Sequence, residues 1–410
     1  MTKLSLSKEK IKVVLLEGVH PDAEKLFRKD GYDNIHIYNS TPNDDELRAI
    51  LTDTHILGIR SRTQLKGQNL DACEKLIAVG TFCIGTNQVD LEQCKSQGIP
   101  VFNAPFSNTR SVAELVMAEI ILLLRGIPEK NAKAHRGQWF KSALHSNETR
   151  GKTLGIVGFG HIGSQLCILA EAMGMKVKYY DIENKLPLGN SEAVGSLEEL
   201  LPQVDVLSLH VPDTELTQNM IGAKELALLP AGSFLINAAR GKIVVIDDLV
   251  QSLNSAHLNG AAIDVFPTEP ASNNDPFESP LIEFENVILT PHIGGSTQEA
   301  QVNIANEVAD KLIKYSNNGS TSSAVNFPEV SLPTLHDDLT RVMHIHQNKP
   351  GMLERINHAF SSQSINIAAM YLQTSGDVGY VIMDVNCVSS DAIVKQLNNI
   401  DGTIRVRVLH

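Results

Sequence analysis

Cysteine is sparse and scattered in this chain: Cys73, Cys83, Cys94, Cys167 and Cys387 are five in 410 residues, an odd number with no C-x-x-C pair. That pattern excludes a disulfide framework and offers no zinc-ligand spacing, so no metal is expected and a reducing, cytoplasmic setting fits. Positive charge is also in deficit, with 35 lysines and arginines against 47 acidic residues. Neither nucleic acid nor an anionic membrane surface is therefore expected as a partner. Long apolar runs are missing as well. The longest, residues 112–124, is interrupted by Glu114 and Glu119 and falls short of the roughly 20 residues that cross a bilayer. It reads instead as a buried helix opened by a capping box of Ser111 and Glu114. The first ten residues carry neither an apolar core nor a cleavage signal and do not read as a signal peptide.

The strongest positive signal is a glycine turn. Gly158-Phe159-Gly160-His161-Ile162-Gly163 follows the apolar run 154–157 and opens a helical stretch, and Asp181 closes the next apolar run, 175–180. Small residues let the backbone turn tightly and approach a pyrophosphate, which rests against the N–H groups and positive dipole end of the helix near His161 and Ile162. Asp181 then accepts from the ribose hydroxyls. A carboxylate there repels a 2′-phosphate, and Lys185 is the only cation close behind it, so NAD is expected rather than NADP.

Around this motif the pattern alternates between strand and helix. Strand-like runs at 11–16, 35–38, 55–59, 76–79 and 101–103 alternate with helical stretches at 21–29, 44–51 and 91–97. A second series runs through 154–157, 175–180, 206–210, 234–237, 261–265 and 287–289. Such alternation predicts two parallel α/β sheets. The late position of the glycine turn, behind a long helix, suggests a nucleotide domain inserted into another α/β domain, with 297–315 as the return helix. The expected partition is 1–104 with 297–330 for the outer domain and 105–296 for the nucleotide domain. Polar and proline-bearing stretches at 317–323 and 326–333 read as a linker. The last segment, 338–410, reads as a small βαββαβ unit.

Three residues, each following a strand, could support hydride-coupled acid–base chemistry: Arg240, Glu269 and His292. Loops beyond the carboxyl ends of parallel strands form the ligand crevice of an open sheet. Oxidising an alcohol needs a base for the hydroxyl proton, and histidine titrates nearest neutrality. A carboxylate beside it fixes its orientation, and an arginine fork suits a substrate carboxylate. Spacing alone leaves His210, His145 and His135 in competition with His292. Arg60, Ser61 and Arg62 follow the strand 55–59 and could hold a further anionic group. Trp139, the only tryptophan, forms with Phe140 a pair suited to anchoring an interface.

The glycine turn with Asp181, the run 236–241 containing Arg240, the run 262–270 containing Glu269 and the run 289–297 containing His292 together resemble the D-isomer-specific 2-hydroxyacid dehydrogenase family, over essentially the whole chain. The resemblance implies a Rossmann nucleotide-binding domain inserted into a flavodoxin-like α/β substrate domain, followed by a C-terminal ACT domain. It implies Arg240, Glu269 and His292 as the catalytic set, with His292 accepting and donating the proton. It assigns NAD contacts to Gly158, Gly160, His161, Ile162, Gly163 and Asp181, and further contacts to Ala238, Ala239, Arg240, Asp264, His292, Ile293, Gly294 and Gly295. It places substrate contacts at Arg60, Ser61, Arg62, Asn108 and Arg240, with Lys141 contributed by a neighbouring subunit of a homotetramer.

Within the family, the closest pattern implies oxidation of 3-phospho-D-glycerate to 3-phosphonooxypyruvate in L-serine biosynthesis, with feedback inhibition by L-serine. Reduction of 2-oxoglutarate to 2-hydroxyglutarate on the same machinery is a further expectation. His346, Asn348 and Asn366 match the positions that contact the serine effector in regulated relatives. The connection 334–340 contains no glycine where relatives can carry a glycine pair. The rival from another class is a nucleotide-sensing interaction protein, against which the intact Arg240, Glu269 and His292 weigh.

Overall fold

The computed structural model describes residues 6–270, 274–336, 338–386 and 391–409; Cys387 and Asp337 lie outside them. Two compact units emerge, Met1–Ser107 with Val302–His410, and Asn108–Gln301.

The first unit contains a parallel sheet of β1 (Val13–Leu15), β2 (Ile35–Ile37), β3 (Ile56–Ile59), β4 (Ala78–Thr81) and β5 (Val101–Phe102), in the order β2-β1-β3-β4-β5. This is the flavodoxin-like order. β1, β3, β4 and β5 are buried along their whole length, as expected when both faces of a parallel sheet are covered. Local signals start the covering helices where the sequence places them. Pro21 opens Pro21–Lys29 behind His20, whose side chain accepts from the Asp22 amide, and Asn43 with Glu46 closes a reciprocal capping box on Asp44–Leu51.

The second unit holds the seven-stranded sheet β12-β11-β10-β9-β6-β7-β8. Its strands are β6 (Thr153–Val157), β7 (Lys176–Tyr180), β8 (Glu192–Ala193), β9 (Val206–Leu209), β10 (Ser233–Asn237), β11 (Leu258–Ile263) and β12 (Val287–Leu289). All are parallel. The order reverses between β6 and β9, the switch point at which open sheets bind ligands. One face packs on the helices Thr109–Leu124 and His161–Ala172, and a separate core, including Leu226, Leu249 and Leu253, covers the other.

The C-terminal sheet is antiparallel, β14-β15-β13-β16, built from β13 (Thr340–Gln347), β14 (Ile367–Ser375), β15 (Val378–Val385) and β16 (Thr403–Leu409). The helices Met352–Ser361 and Asp391–Asn398 complete the βαββαβ order. Alternation along β13 divides the two faces. Val342 packs on those helices, while Met343 and Ile345 join the core that contains Phe82, Tyr315 and Phe327. The C-terminal sheet thus shares a core with the first sheet. Buried Arg341 reinforces the join: its Nε and Nη2 donate to the two Asp384 carboxylate oxygens at 2.6 and 2.7 Å, and its Nη1 donates to the Asn318 and Pro333 carbonyls at 2.9 Å.

Several sequence expectations are corrected. The helix beginning near residue 111 starts earlier, as Thr109–Leu124 behind Asn108, so Ser111 and Glu114 form no capping box. Ser111 Oγ instead meets Thr297 Oγ1 at 2.7 Å, and Glu114 pairs with Arg110 one turn before it. The strand expected at 261–265 is Leu258–Ile263, because pairing with β10 continues through Leu258 and Gly260, where no apolar run marks it. Exposed, two-residue β8 and the single-turn helix Gln68–Asp71 were missed, both too short for periodicity to register.

Candidate active site

Asp264, which ends β11, organises the second unit's candidate site. Its buried carboxylate accepts from Thr290 Oγ1 at 2.6 Å and from the amides of Ile293 and Gly294 at 2.8 and 2.9 Å, and its carbonyl accepts from the His292 amide at 2.8 Å. The 290–295 loop is therefore wound around one side chain. That winding holds His292 at φ 53°, a left-handed conformation that a histidine adopts only when its surroundings over-determine it.

In this conformation His292 Nδ1 lies 2.9 and 3.1 Å from the two carboxylate oxygens of Glu269, leaving Nε2 for another partner. The Phe266 amide donates to Glu269 Oε1 at 3.1 Å and steadies the carboxylate. The hydrogen bond that Nδ1 donates to Glu269 pushes the His292 pKa up, outweighing desolvation. For Glu269, burial works upward, but His292 and the Phe266 amide hold its pKa below the ordinary value. Of the competing histidines, His210 is half-buried, bonds to Ser208 Oγ at 2.8 Å and is pushed down to about 4 by desolvation. Neither His135 nor His145 pairs with a carboxylate among the described residues. Geometry therefore separates four histidines that spacing could not.

Arg240 enters from β10. Asn237, 1% exposed, clamps the turn by accepting from the Ala239 amide and donating to the Arg240 carbonyl at 2.9 Å. A Cβ at the next residue, Gly241, would fall 2.0 Å from the Phe266 carbonyl group, so the backbones of the Arg240 and Glu269 loops are in direct contact. The Arg240 charge acts on both Glu269 and His292, lowering the pKa of each. Asn108 lies against Gly295, where a Cβ would meet its Nδ2 at 2.5 Å, and its buried Oδ1 has no partner among the described residues.

The glycine turn fits a dinucleotide. Gly158 sits at φ +91°, and a Cβ there would lie 2.5 Å from the His210 carbonyl oxygen, so the turn closes only with glycine. Gly160 has the opposite surroundings, with no atom within 4 Å of an added Cβ, which leaves open space before the helix His161–Ala172. Asp181 Oδ2 accepts from the Phe159 amide at 2.7 Å, so the carboxylate that ends β7 is tied to the turn itself. Lys185, four residues after Asp181, is paired with Glu183. Because Gly160 makes no protein contact that a methyl would disturb, Gly160→Ala is expected to leave thermal stability unchanged while weakening NADH binding about tenfold, or roughly 1.4 kcal/mol. Fluorescence titration with NADH, beside a melting curve, checks both halves.

In the first unit, Arg60, Ser61 and Arg62 follow β3, with Ser61 and Arg62 exposed, and neither guanidinium is paired with a carboxylate among the described residues. Sequence reasoning missed the residues that hold this loop: Glu17, which accepts from the Arg60, Arg62 and Thr63 amides, and Gln88, which donates to the Arg60 carbonyl. Their signal was weak, a lone acid after an apolar run and an amide beside another, Asn87. Glu119 was read only as an interruption of such a run. It is 2% exposed, both of its oxygens lack a partner among the described residues, and burial with the added Asp264 charge pushes its pKa up to about 8. Lys141 is exposed and Trp139 is 92% exposed, with Lys133 Nζ over the Phe140 ring at 4.0 Å.

In the C-terminal unit, buried His346 bonds through Nδ1 to the Gln347 carbonyl at 2.8 Å, and its Nε2 has no partner among the described residues. Asn348 donates to the Gly376 carbonyl in the β14–β15 turn, and Asn366 is exposed just ahead of β14.

A Rossmann sheet with a dinucleotide turn and a histidine–carboxylate pair beside an arginine defines a nicotinamide-dependent oxidoreductase. The model of the "D-isomer specific 2-hydroxyacid dehydrogenase, NAD binding domain" matches residues 117–294, and an "AHAS small subunit-like ACT domain" matches residues 342–405. The chain is 60% identical over 412 residues to D-3-phosphoglycerate dehydrogenase of Escherichia coli (strain K12), covering all of both chains. It is 59% identical over 408 residues to the Haemophilus influenzae enzyme of the same name, covering 100% of this chain and 99% of that one. Among solved structures, D-lactate dehydrogenase from Aquifex aeolicus, complexed with NAD and lactic acid, superposes with a TM-score of 0.67 at 26% identity, over 78% of this chain and 100% of that one. The chain belongs to the D-isomer-specific 2-hydroxyacid dehydrogenase family and is an NAD-dependent oxidoreductase with a C-terminal ACT-type domain. No helix among the described residues is long and apolar enough to cross a membrane.

Proposed function

We propose that the protein oxidises 3-phospho-D-glycerate to 3-phosphonooxypyruvate, a step of L-serine biosynthesis in the cytoplasm, and that L-serine inhibits it. The single observation that carries the chemistry is His292 held by Glu269 through Nδ1, with Nε2 left for substrate. The full-length relatives of the same name support the choice of substrate.

NAD, when bound, supplies the acceptor for the hydride that leaves C2. Gly158, Gly160, His161, Ile162 and Gly163 cradle its pyrophosphate, and Asp181 takes the ribose hydroxyls. Ala238, Ala239, Arg240, Asp264 and His292 to Gly295 line the nicotinamide side. His292 Nε2 takes the hydroxyl proton as the C2–O bond becomes a carbonyl, and Glu269 stabilises the imidazolium that forms. Arg240 holds the substrate carboxylate and polarises the oxygen beside it. Arg60, Ser61 and Arg62 hold the phosphate, and Asn108 and a neighbouring subunit's Lys141 in a homotetramer contribute to binding the substrate. Only the neutral imidazole can accept the proton, so oxidation quickens as pH rises through the raised pKa of His292.

Unpaired arginines accept a second carboxylate as well as a phosphate, so reduction of 2-oxoglutarate to 2-hydroxyglutarate is expected as a slower activity. L-serine is assigned to His346, Asn348 and Asn366, where the unpartnered His346 Nε2 supports a polar ligand. We keep three functional parts: the substrate domain at 1–104 and 297–330, the NAD domain at 105–296 and the ACT domain at 338–410.

The test is NADH formation from 3-phospho-D-glycerate at alkaline pH, with and without millimolar L-serine. Turnover suppressed by serine is expected. Turnover insensitive to serine would remove the effector assignment, and no turnover would remove the substrate.

A further inference from the structure

We propose that Glu17 is a positioning residue for anion recognition: its carboxylate fixes the main chain of Arg60-Ser61-Arg62 so that the two guanidinium groups meet the distal anionic group of the substrate. The proposal rests on the substrate reading above for the identity of that anion, but the geometry stands apart from it.

Glu17 follows β1, and the loop it holds follows β3, the strand hydrogen-bonded to β1. Its Oε1 accepts from the Arg60 amide at 3.2 Å and the Thr63 amide at 2.8 Å, and its Oε2 accepts from the Arg62 amide at 3.0 Å. Three main-chain N–H groups converging on one point form a concavity of the kind that binds anions. Here the anion is built into the chain. From the other side, Gln88, 5% exposed, donates through Nε2 to the Arg60 carbonyl at 2.6 Å, so both polar groups of the Arg60 backbone are taken by side chains from elsewhere in the fold.

The backbone at Glu17 is itself in the left-handed region, at φ 61°, followed by Gly18 at φ 61°. A non-glycine residue there is strained, and such strain persists where the surroundings over-determine it. The strain delivers the carboxylate to the loop amides. Neither Arg60 nor Arg62 forms an ion pair with Glu17, so the side chains stay available while the backbone is held.

Charge balance and positioning predict opposite signs. If Glu17 served only to offset the two arginines, removing its charge would raise the local positive potential and tighten anion binding. If it positions them, glutamine leaves at least one of the three amides facing an NH2 that cannot accept, glycine removes the acceptor of all three, and in both the loop loosens and anion binding weakens. Glu17→Gln is the first variant. Glu17→Gly is the second: glycine takes φ 61° without strain and so retains the fold, but it also lacks the carboxylate.

Wild type and both variants are compared by steady-state kinetics with 3-phospho-D-glycerate and by hydrogen exchange of residues 58–63. The expected result is a KM about tenfold higher with kcat changed far less, the pattern of lost ground-state binding, together with faster exchange of the Arg60, Arg62 and Thr63 amides. A KM that is unchanged or lower, or exchange that does not quicken, overturns the assignment. Exchange is read without substrate. If wild type fails to oxidise 3-phospho-D-glycerate, the substrate reading falls, and Glu17 is judged on exchange alone.

Discussion

Replacing His292 with asparagine is expected to lower kcat for oxidation by about 10²–10⁴-fold, the range lost when a positioned general base is removed. Asparagine is the right probe because the backbone at position 292 is left-handed, with φ 53°, which asparagine tolerates better than alanine does. The turn wound around Asp264 should therefore survive, and NADH binding should persist. A companion variant, Glu269→Gln, separates orientation from basicity. The Glu269 carboxylate is the first cause of the raised His292 pKa. Without its charge that pKa falls, so the rising limb of the oxidation profile moves to lower pH. In the reducing direction, which needs the imidazolium as proton donor, activity at neutral pH declines. Full pH profiles in both directions check this, and a limb that stays in place would show that something other than His292 titrates. Retained oxidation in His292→Asn would point instead to another base.

Removing Asp384 is expected to destabilise the first unit by about 3–5 kcal/mol, because it strands a buried guanidinium. Arg341 is 0% exposed, and its four contacts tie β13 to β15, to the end of the helix Gln298–Asn318 and to the linker at Pro333. A double variant, Arg341→Met with Asp384→Leu, should recover part of the loss, since apolar residues of similar volume often replace a buried ion pair without penalty. Recovery should stay incomplete, because the Asn318 and Pro333 carbonyls would then lack the donor they have now. Urea unfolding gives the measurement. A loss below about 1 kcal/mol for Asp384→Ala, the size of an exposed pair, would show that the site is hydrated. The connection 334–340 contains no glycine, and Arg341 fastens the residue that precedes it, Pro333. The same variant, assayed with serine, therefore also probes whether a rigid join carries the signal from the C-terminal unit.

Much of this was legible in the chain itself. The helices Pro21–Lys29, Asp44–Leu51 and Met352–Ser361 run as expected because their caps and breakers are local: Pro21, the Asn43–Glu46 box and Gly351 act within a turn of the backbone they terminate. Strand edges were less legible. At Leu258–Gly260 and Glu192–Ala193, membership in the sheet depends on pairing with a distant strand, not on an apolar run. The capping box at Ser111 failed for a similar reason, since Thr297 and Arg110 claimed the two side chains.

By itself, then, the sequence determined the fold class, the glycine turn with its terminal Asp181, and the three residue types that this chemistry requires, because those signals lie within a few residues of one another. The tertiary structure decided which of four histidines stands beside a carboxylate. It also decided that Glu119 is buried, that Glu17 holds the Arg60–Arg62 loop, and that the C-terminal sheet shares a core with the first. Each of these depends on groups far apart in the chain meeting at hydrogen-bond distance or in a common core, and no spacing along the sequence records such a meeting.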